Sequence, residues 1–170
     1  MDQPDRIQRL LDPAYTRGLD ARSLDDLRTM KSECADVEHA VSYYRRLAQA
    51  RMEILEAERD RRARGGDISE LVADLPSILG AEPGRSSPTG SRVASAQTPD
   101  IELRWSDGRE ALVADLTLAN LPDLSGADLD ATTERLRGFE RDLSEVRRAL
   151  HGVIDVLERE IAARQVAGTA

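Results

Sequence analysis

Two stretches decide the reading: EHAVSYYRRLAQARME, Glu38 to Glu53, and ERDLSEVRRALHGVID, Glu140 to Asp155. Set one under the other, Glu38 falls on Glu140, Ser42 on Ser144, Arg45 on Arg147 and Arg46 on Arg148. Gln49 then meets His151, and Glu53 meets Asp155. A single offset serves every pair. It carries on through Leu55 with Leu157, Glu56 with Glu158 and Glu58 with Glu160. The shared pattern is E-x3-S-x2-R-x3-(Q/H)-x3-(E/D). On an α-helix its five positions fall within about 80° of arc and form a stripe roughly 22 Å long.

Each stretch lies inside a longer apolar row. Leu27, Met30, Cys34, Val37, Val41, Tyr44 and Ala48 follow one another in steps of three and four, and Met52 and Leu55 extend them. The second row runs Leu129, Thr132, Leu136, Phe139, Leu143, Val146, Leu150, Ile154, Leu157 and Ile161. That alternation is the seam of a coiled coil. Ser23 with Asp26, and Ser125 with Asp128, are capping pairs at the two helix starts. Gly65 and Gly66 end the first helix. Every motif residue directly follows a seam residue, so the polar stripe flanks the seam in the same way in both copies. Paired antiparallel, the two stripes share one side of the interface and merge; paired parallel, they lie on opposite sides.

The expected fold is therefore all-α: two long helices forming an antiparallel coiled coil joined by a long, partly disordered linker. The expected divisions are an N-terminal segment (1–22), a first helix with motif copy one (23–64), a flexible linker with short ordered pieces (65–124) and a second helix with copy two (125–166). Within the linker, DISELVADLPSIL predicts a short helix that stops before Pro76. AEPGRSSPTGSRVASAQTP reads as disordered linker. IELRWSDGREALVADLTL reads either as a small hairpin around Asp107-Gly108 or as a segment docking on the helices.

Composition narrows the function. Of 170 residues, 33% are charged and 3% aromatic, which suits long helices with narrow apolar stripes. A formal net charge of −8 argues against direct contact with a nucleic-acid backbone and suits a protein partner with a basic face. The single cysteine, Cys34, excludes an intramolecular disulfide and reads as a small core residue. No run of membrane-spanning or signal-peptide length is present, which predicts a soluble, cytoplasmic protein without a membrane role. His151 and Asp155 have metal-ligand spacing but no third ligand, so no metal is expected. His39 reads as a surface residue beside the stripe, and Tyr43, Tyr44 and Phe139 as packing. No nucleophile or metal set suggests an enzyme.

The stripe itself offers carboxylates, a hydroxyl, guanidinium groups and an amide or imidazole, twice over. Arg binds guanine O6 and N7 in a bidentate way, stacks on a base or pairs with phosphate. A carboxylate accepts from the guanine N1 and N2 protons, and Ser and Gln reach phosphate or ribose oxygens. A ligand with guanines, phosphates and two-fold symmetry would satisfy both copies.

The doubled motif resembles the signature of the RsiG family of actinobacterial anti-sigma factors, also described as aerial mycelium formation proteins. The resemblance implies cyclic di-GMP as a regulatory ligand and a sporulation sigma factor, WhiG, as partner. It assigns nucleotide contacts to Glu38, Ser42, Arg45, Gln49, Glu53, Glu140, Ser144, Arg147, His151 and Asp155. This chain departs from the family pattern at Glu53, where Asp is expected, and at His151, where Gln is expected. Both replacements keep hydrogen-bonding capacity, and His151 adds sensitivity to pH. The alternative is a nucleotide-independent coiled-coil scaffold or adaptor, whose stripe is only a solvated face with i,i+4 pairs.

Overall fold

The computed structural model describes residues 3–80, 99–100, 103, 105, 108–113 and 121–167. Four α-helices follow in order: α1 (Gln3–Leu11), α2 (Leu24–Arg64), α3 (Ile68–Gly80) and α4 (Gly126–Ala167). Short 3₁₀ turns occupy Leu19–Ala21, Arg109–Val113 and Leu121–Asp123. The described residues contain no strand.

The long helices begin as the capping pairs require. At α2 the Ser23 hydroxyl donates to Asp26 (2.7 Å) while the Asp26 amide donates to that hydroxyl (3.0 Å). Ser125 and Asp128 repeat this at α4 (2.6 and 3.1 Å). Each box satisfies amides that the first turn leaves without partners. At the end of α2, Gly66 N–H bonds the Arg61 carbonyl and Gly65 N–H the Arg62 carbonyl, a Schellman motif. It needs a left-handed residue, and Gly65 has φ 69°.

Seam burial follows the periodic reading. Leu27, Cys34, Val37, Val41, Ala48 and Leu55 are buried on α2, and Leu129, Leu136, Phe139, Leu143, Leu150, Ile154 and Leu157 on α4. Met30, Tyr44, Met52, Thr132, Val146 and Ile161 are only partly covered, while Arg51 and Thr133 are buried beside Met52 and Thr132. The hydroxyl of Thr133 is satisfied by the Leu129 carbonyl (2.8 Å), so burial leaves no orphan donor.

Contacts divide the chain into two units, and each long helix contributes to both. The first comprises Met1–Tyr43, Thr98–Arg109 and Asp142–Ala170. There Lys31 pairs with Glu158 (2.8 Å), Glu38 meets His151 (3.0 Å), and Arg164 reaches the carbonyls of Leu19 and Arg22. Numbers fall along α2 as they rise along α4, so the helices are antiparallel. The second unit comprises Tyr44–Gln97 and Glu110–Arg141. Arg45 pairs with Glu140 (3.2 Å), Arg59 with Asp130 (3.5 Å), and Arg62 reaches the Leu124 carbonyl. The order is again reversed.

The duplication extends beyond the motif. The turns Leu19–Ala21 and Leu121–Asp123 stand at the same offset, and both Leu19 and Leu121 are buried. In the first unit Arg164, held by Glu160 (2.7 Å), donates to the carbonyls of Leu19 and Arg22. In the second, Arg62, held by Glu58, donates to those of Leu121 (2.9 Å) and Leu124. A Glu-x3-Arg clamp thus closes each unit on the other copy's turn. Glu58, in the charged run ERDRRAR that ends α2, is fully buried. Its carboxylate also takes two bonds from Arg61 (2.6 and 2.8 Å), which is how a buried charge is tolerated. The Arg61 bonds, opposed by burial and aided by Arg62, hold this carboxyl below its usual range.

The N-terminal segment packs in the first unit. Leu10 of α1 is fully buried, Arg9 and Arg6 both pair with Glu33, and the Tyr15 hydroxyl donates to Glu33 (3.3 Å). Cys34 is a free, buried thiol whose ionisation burial opposes.

Two linker expectations change. α3 does not stop before Pro76 but continues to Gly80. Proline deletes one amide bond, to the Val72 carbonyl; Val72 and Pro76 are both exposed, so water can replace it. The stretch around Asp107-Gly108 is no hairpin among the described residues. Gly108, at φ 67°, closes a turn by bonding the Trp105 carbonyl (2.9 Å), and a 3₁₀ turn follows. Leu103 is buried and Arg109 pairs with Asp142 on α4, so the docking alternative holds. The expected disordered stretch, except Pro99, lies outside the described residues.

Gly138 and Gly152 interrupt α4, and a methyl at either meets nothing within 4 Å. Gly152→Ala therefore stabilises the protein by about 0.5–1 kcal/mol. Thermal unfolding followed by circular dichroism should show a midpoint about 1–4 °C higher.

Candidate functional site

The motif residues sit where a stripe beside a buried seam must sit. Nine of the ten are half-buried, and Asp155 is exposed. Each half of the duplication is assembled across the helices and not along one of them.

In the first unit Glu38 on α2 is the hub. One of its oxygens accepts from Ser42 Oγ (2.8 Å), from Arg147 Nε (3.1 Å) and from His151 Nε2 (3.0 Å). The first contact is one helical turn away, while the other two come from α4. Burial pushes the Glu38 carboxyl up, but the bonds from Ser42 and His151, the imidazole's charge and the Arg147 bond outweigh it. The net displacement is downward. Arg147 and His151 remain about two-fifths exposed, so their outer faces are open to a ligand.

The second unit repeats the arrangement with the copies exchanged. Glu140 on α4 accepts from Arg45 Nη1 (3.2 Å) and from Gln49 Nε2 (3.1 Å), both on α2. Ser144 stands one turn along α4, where Ser42 stands relative to Glu38. Gln49 takes the place of His151. Both donate to the glutamate of the other copy.

The last pair behaves differently. Among the described residues, the carboxylates of Glu53 and Asp155 make no hydrogen bond or ion pair, though the Asp155 backbone carbonyl accepts from Arg159 (3.2 Å). The stripe in each unit thus contains a neutralised carboxylate, a guanidinium and an amide or imidazole, followed by an acceptor group still available. Such a set can receive a guanine edge and a phosphate. Among the described residues no group of three His, Cys, Asp or Glu side chains is placed to hold a metal ion.

The sequence reading missed that the glutamate of one copy binds the arginine of the other. The signal was present: reversing one helix brings position 38 opposite positions 147 to 151. His39, expected on the surface beside the stripe, is partly covered. Its Nε2 is sealed from solvent and has no hydrogen-bond partner. Phe139 is core, as expected, while Tyr43 and Tyr44 are only half-covered.

The Glu38 contacts give a pH signature. A carboxyl depressed on folding contributes stability that is present above its unfolded pKa and is lost as pH falls through the folded value. Glu38→Gln should cost about 1 kcal/mol at pH 7. Urea titrations between pH 7 and 3 should show the gap to the parent chain closing below the ordinary carboxylate range. A gap of constant size would remove Glu38 as the titrating hub.

No curated protein matches the chain. A protein-family model described as RsiG-like matches residues 13–79 and 115–170, well over half of the chain.

Proposed function

Because the chain belongs to the RsiG-like family, we propose that it is a non-enzymatic anti-sigma factor that binds cyclic di-GMP through the duplicated stripe and sequesters a WhiG-like sporulation sigma factor when nucleotide-loaded. The observation that carries this reading is the repetition of one polar constellation in both units, with α2 and α4 exchanging roles. A ligand made of two equal guanylate halves matches a chain that offers the same groups twice. Arg45 and Arg147 are the natural phosphate or guanine contacts, with Gln49 and His151 beside them. Glu53 and Asp155 are the natural acceptors for guanine N1 and N2 protons.

The physical coupling follows from the cross-helix assembly. Groups from α2 and α4 must be held together to bind nucleotide, so binding restrains one helix against the other within each unit. A restrained pair loses less entropy when a large partner docks. By linkage, the partner then tightens nucleotide binding by the same factor. The acidic surface complements a basic promoter-binding face on a sigma factor. No described helix is long and apolar enough to cross a membrane, and nothing in the reading calls for one.

One observation favours the rival, a nucleotide-independent scaffold. Glu38 and Glu140 already use their neighbours to tie the helices together, which is a structural duty that needs no ligand. The two readings separate by mutation. Arg45→Ala and Arg147→Ala should each weaken cyclic di-GMP binding about ten- to a hundred-fold, measured by calorimetry, without unfolding the protein. Arg28→Ala, outside both motifs, should be neutral. The sigma partner should co-purify in cyclic di-GMP and dissociate on its removal, and the double arginine variant should behave as if nucleotide were absent. Retention of the partner by that variant, indifferent to added nucleotide, would establish the scaffold.

A further inference from the structure

α3 contains none of the ten motif residues. Its residues Ile68, Leu71, Val72 and Leu75 recur at i, i+3, i+4 and i+7 and share one face. Leu71 is buried, but Ile68 is 38% and Val72 60% exposed, two of the three large apolar side chains exposed among the described residues. They border a cleft of about 220 Å³ in the second unit, floored by the buried Ile54 and Leu121 and edged by Pro122. Exposed apolar surface at a cleft of this kind marks a binding site more often than a structural accident.

Two exposed carboxylates adjoin these residues. Asp67 precedes Ile68 and Asp123 follows Pro122, and both are exposed. The sequence of α3 itself, ISELVADLPSILG, contains Glu70 and Asp74 and no Lys or Arg. Hydrogen bonds from Ser69 hold the Asp67 carboxyl below its usual range, so it stays ionised. Arg61 and Arg62, at the end of α2, share Glu58, and Arg62 is further held by the Leu121 and Pro122 carbonyls at the cleft's edge. An anionic lipid surface would be repelled by these aspartates.

We propose that this cleft docks an amphipathic helix of a partner protein, with aliphatic residues on one face and Lys or Arg on its flanks. The aliphatic face covers Ile68 and Val72, and the basic flanks meet Asp67 and Asp123. This is the helix-in-groove mode, with charge selecting the partner and apolar contact supplying the affinity. It stands apart from the nucleotide reading, since none of these residues belongs to the stripe.

The test titrates the full chain into two fluorescein-labelled helical peptides. Both carry Leu at i, i+3, i+4 and i+7; one has Lys on its flanks and the other Glu. Anisotropy should show the Lys-flanked peptide binding at least about tenfold more tightly, with the preference fading at high salt. Val72→Arg, at an exposed position, should abolish binding with an unchanged melting curve. Asp123→Lys, also at an exposed position, should keep the cleft and erase much of the preference. No binding, equal binding of both peptides, or indifference to Val72→Arg would overturn the proposal. So would self-association of the chain that Val72→Arg removes, because the occupant would then be a second copy.

Discussion

Between Leu27 and Ile54 the fully buried residues of α2 are Cys34, Val37, Ala40, Val41 and Ala48, none longer than valine. Short side chains in a seam let two helices lie close, and closeness decides what the flanking residues can touch. Long aliphatic residues there would hold the flanks apart and leave Glu38 and Glu140 to water. Instead Glu38 lies within 3.1 Å of Arg147, and Glu140 within 3.2 Å of Arg45. The apolar burial supplies most of the stabilisation, about 1.5–3 kcal/mol for each large side chain before entropic costs. The cross-helix hydrogen bonds add less, but they fix which polar groups converge.

That constraint bears on how a nucleotide would be received. A phosphate approaching Arg147 need not displace Glu38, because the guanidinium offers five donors and only Nε is used by Glu38. Arg45 likewise commits Nη1 to Glu140. In such a complex the glutamates would act as positioning groups, holding the guanidinium groups while the exposed donors of Arg147 face the ligand. The pre-oriented fork loses little rotamer entropy on binding, which favours affinity. The two halves differ where His151 replaces the expected glutamine, so one half has an imidazole where the other has the Gln49 amide.

Much of this was legible in the sequence because helices repeat with a fixed period. The seam, the caps at Ser23 and Ser125, the Gly65 terminus and the antiparallel pairing all follow from spacing and local chemistry. The same offset reaches from Leu19 with Leu121 to Arg62 with Arg164, yet the low similarity of the intervening residues hid it. Only the clamp geometry shows why those arginines recur. The interior position of Glu58 was not legible, since burial of a charge depends on partners that composition does not reveal. Nor was the passage of α3 through Pro76, where solvent exposure relieves a penalty that a buried helix would bear in full. For the stripe, the residue types were readable and their partners were not, because each partner comes from the distant copy.

Recognition of a guanine-bearing cyclic dinucleotide by the duplicated stripe is the proposal on which the rest of the functional reading depends. The most direct measurement is equilibrium binding of fluorescently labelled cyclic di-GMP to the full chain, with unlabelled cyclic di-GMP, cyclic di-AMP and GTP as competitors. Adenine presents a donor where guanine presents O6 and lacks the N1 and N2 protons that Glu53 and Asp155 would accept. The account predicts saturable binding, displaced by cyclic di-GMP and not by comparable concentrations of cyclic di-AMP or GTP. Absence of saturable binding, or equal displacement by cyclic di-AMP, would contradict it.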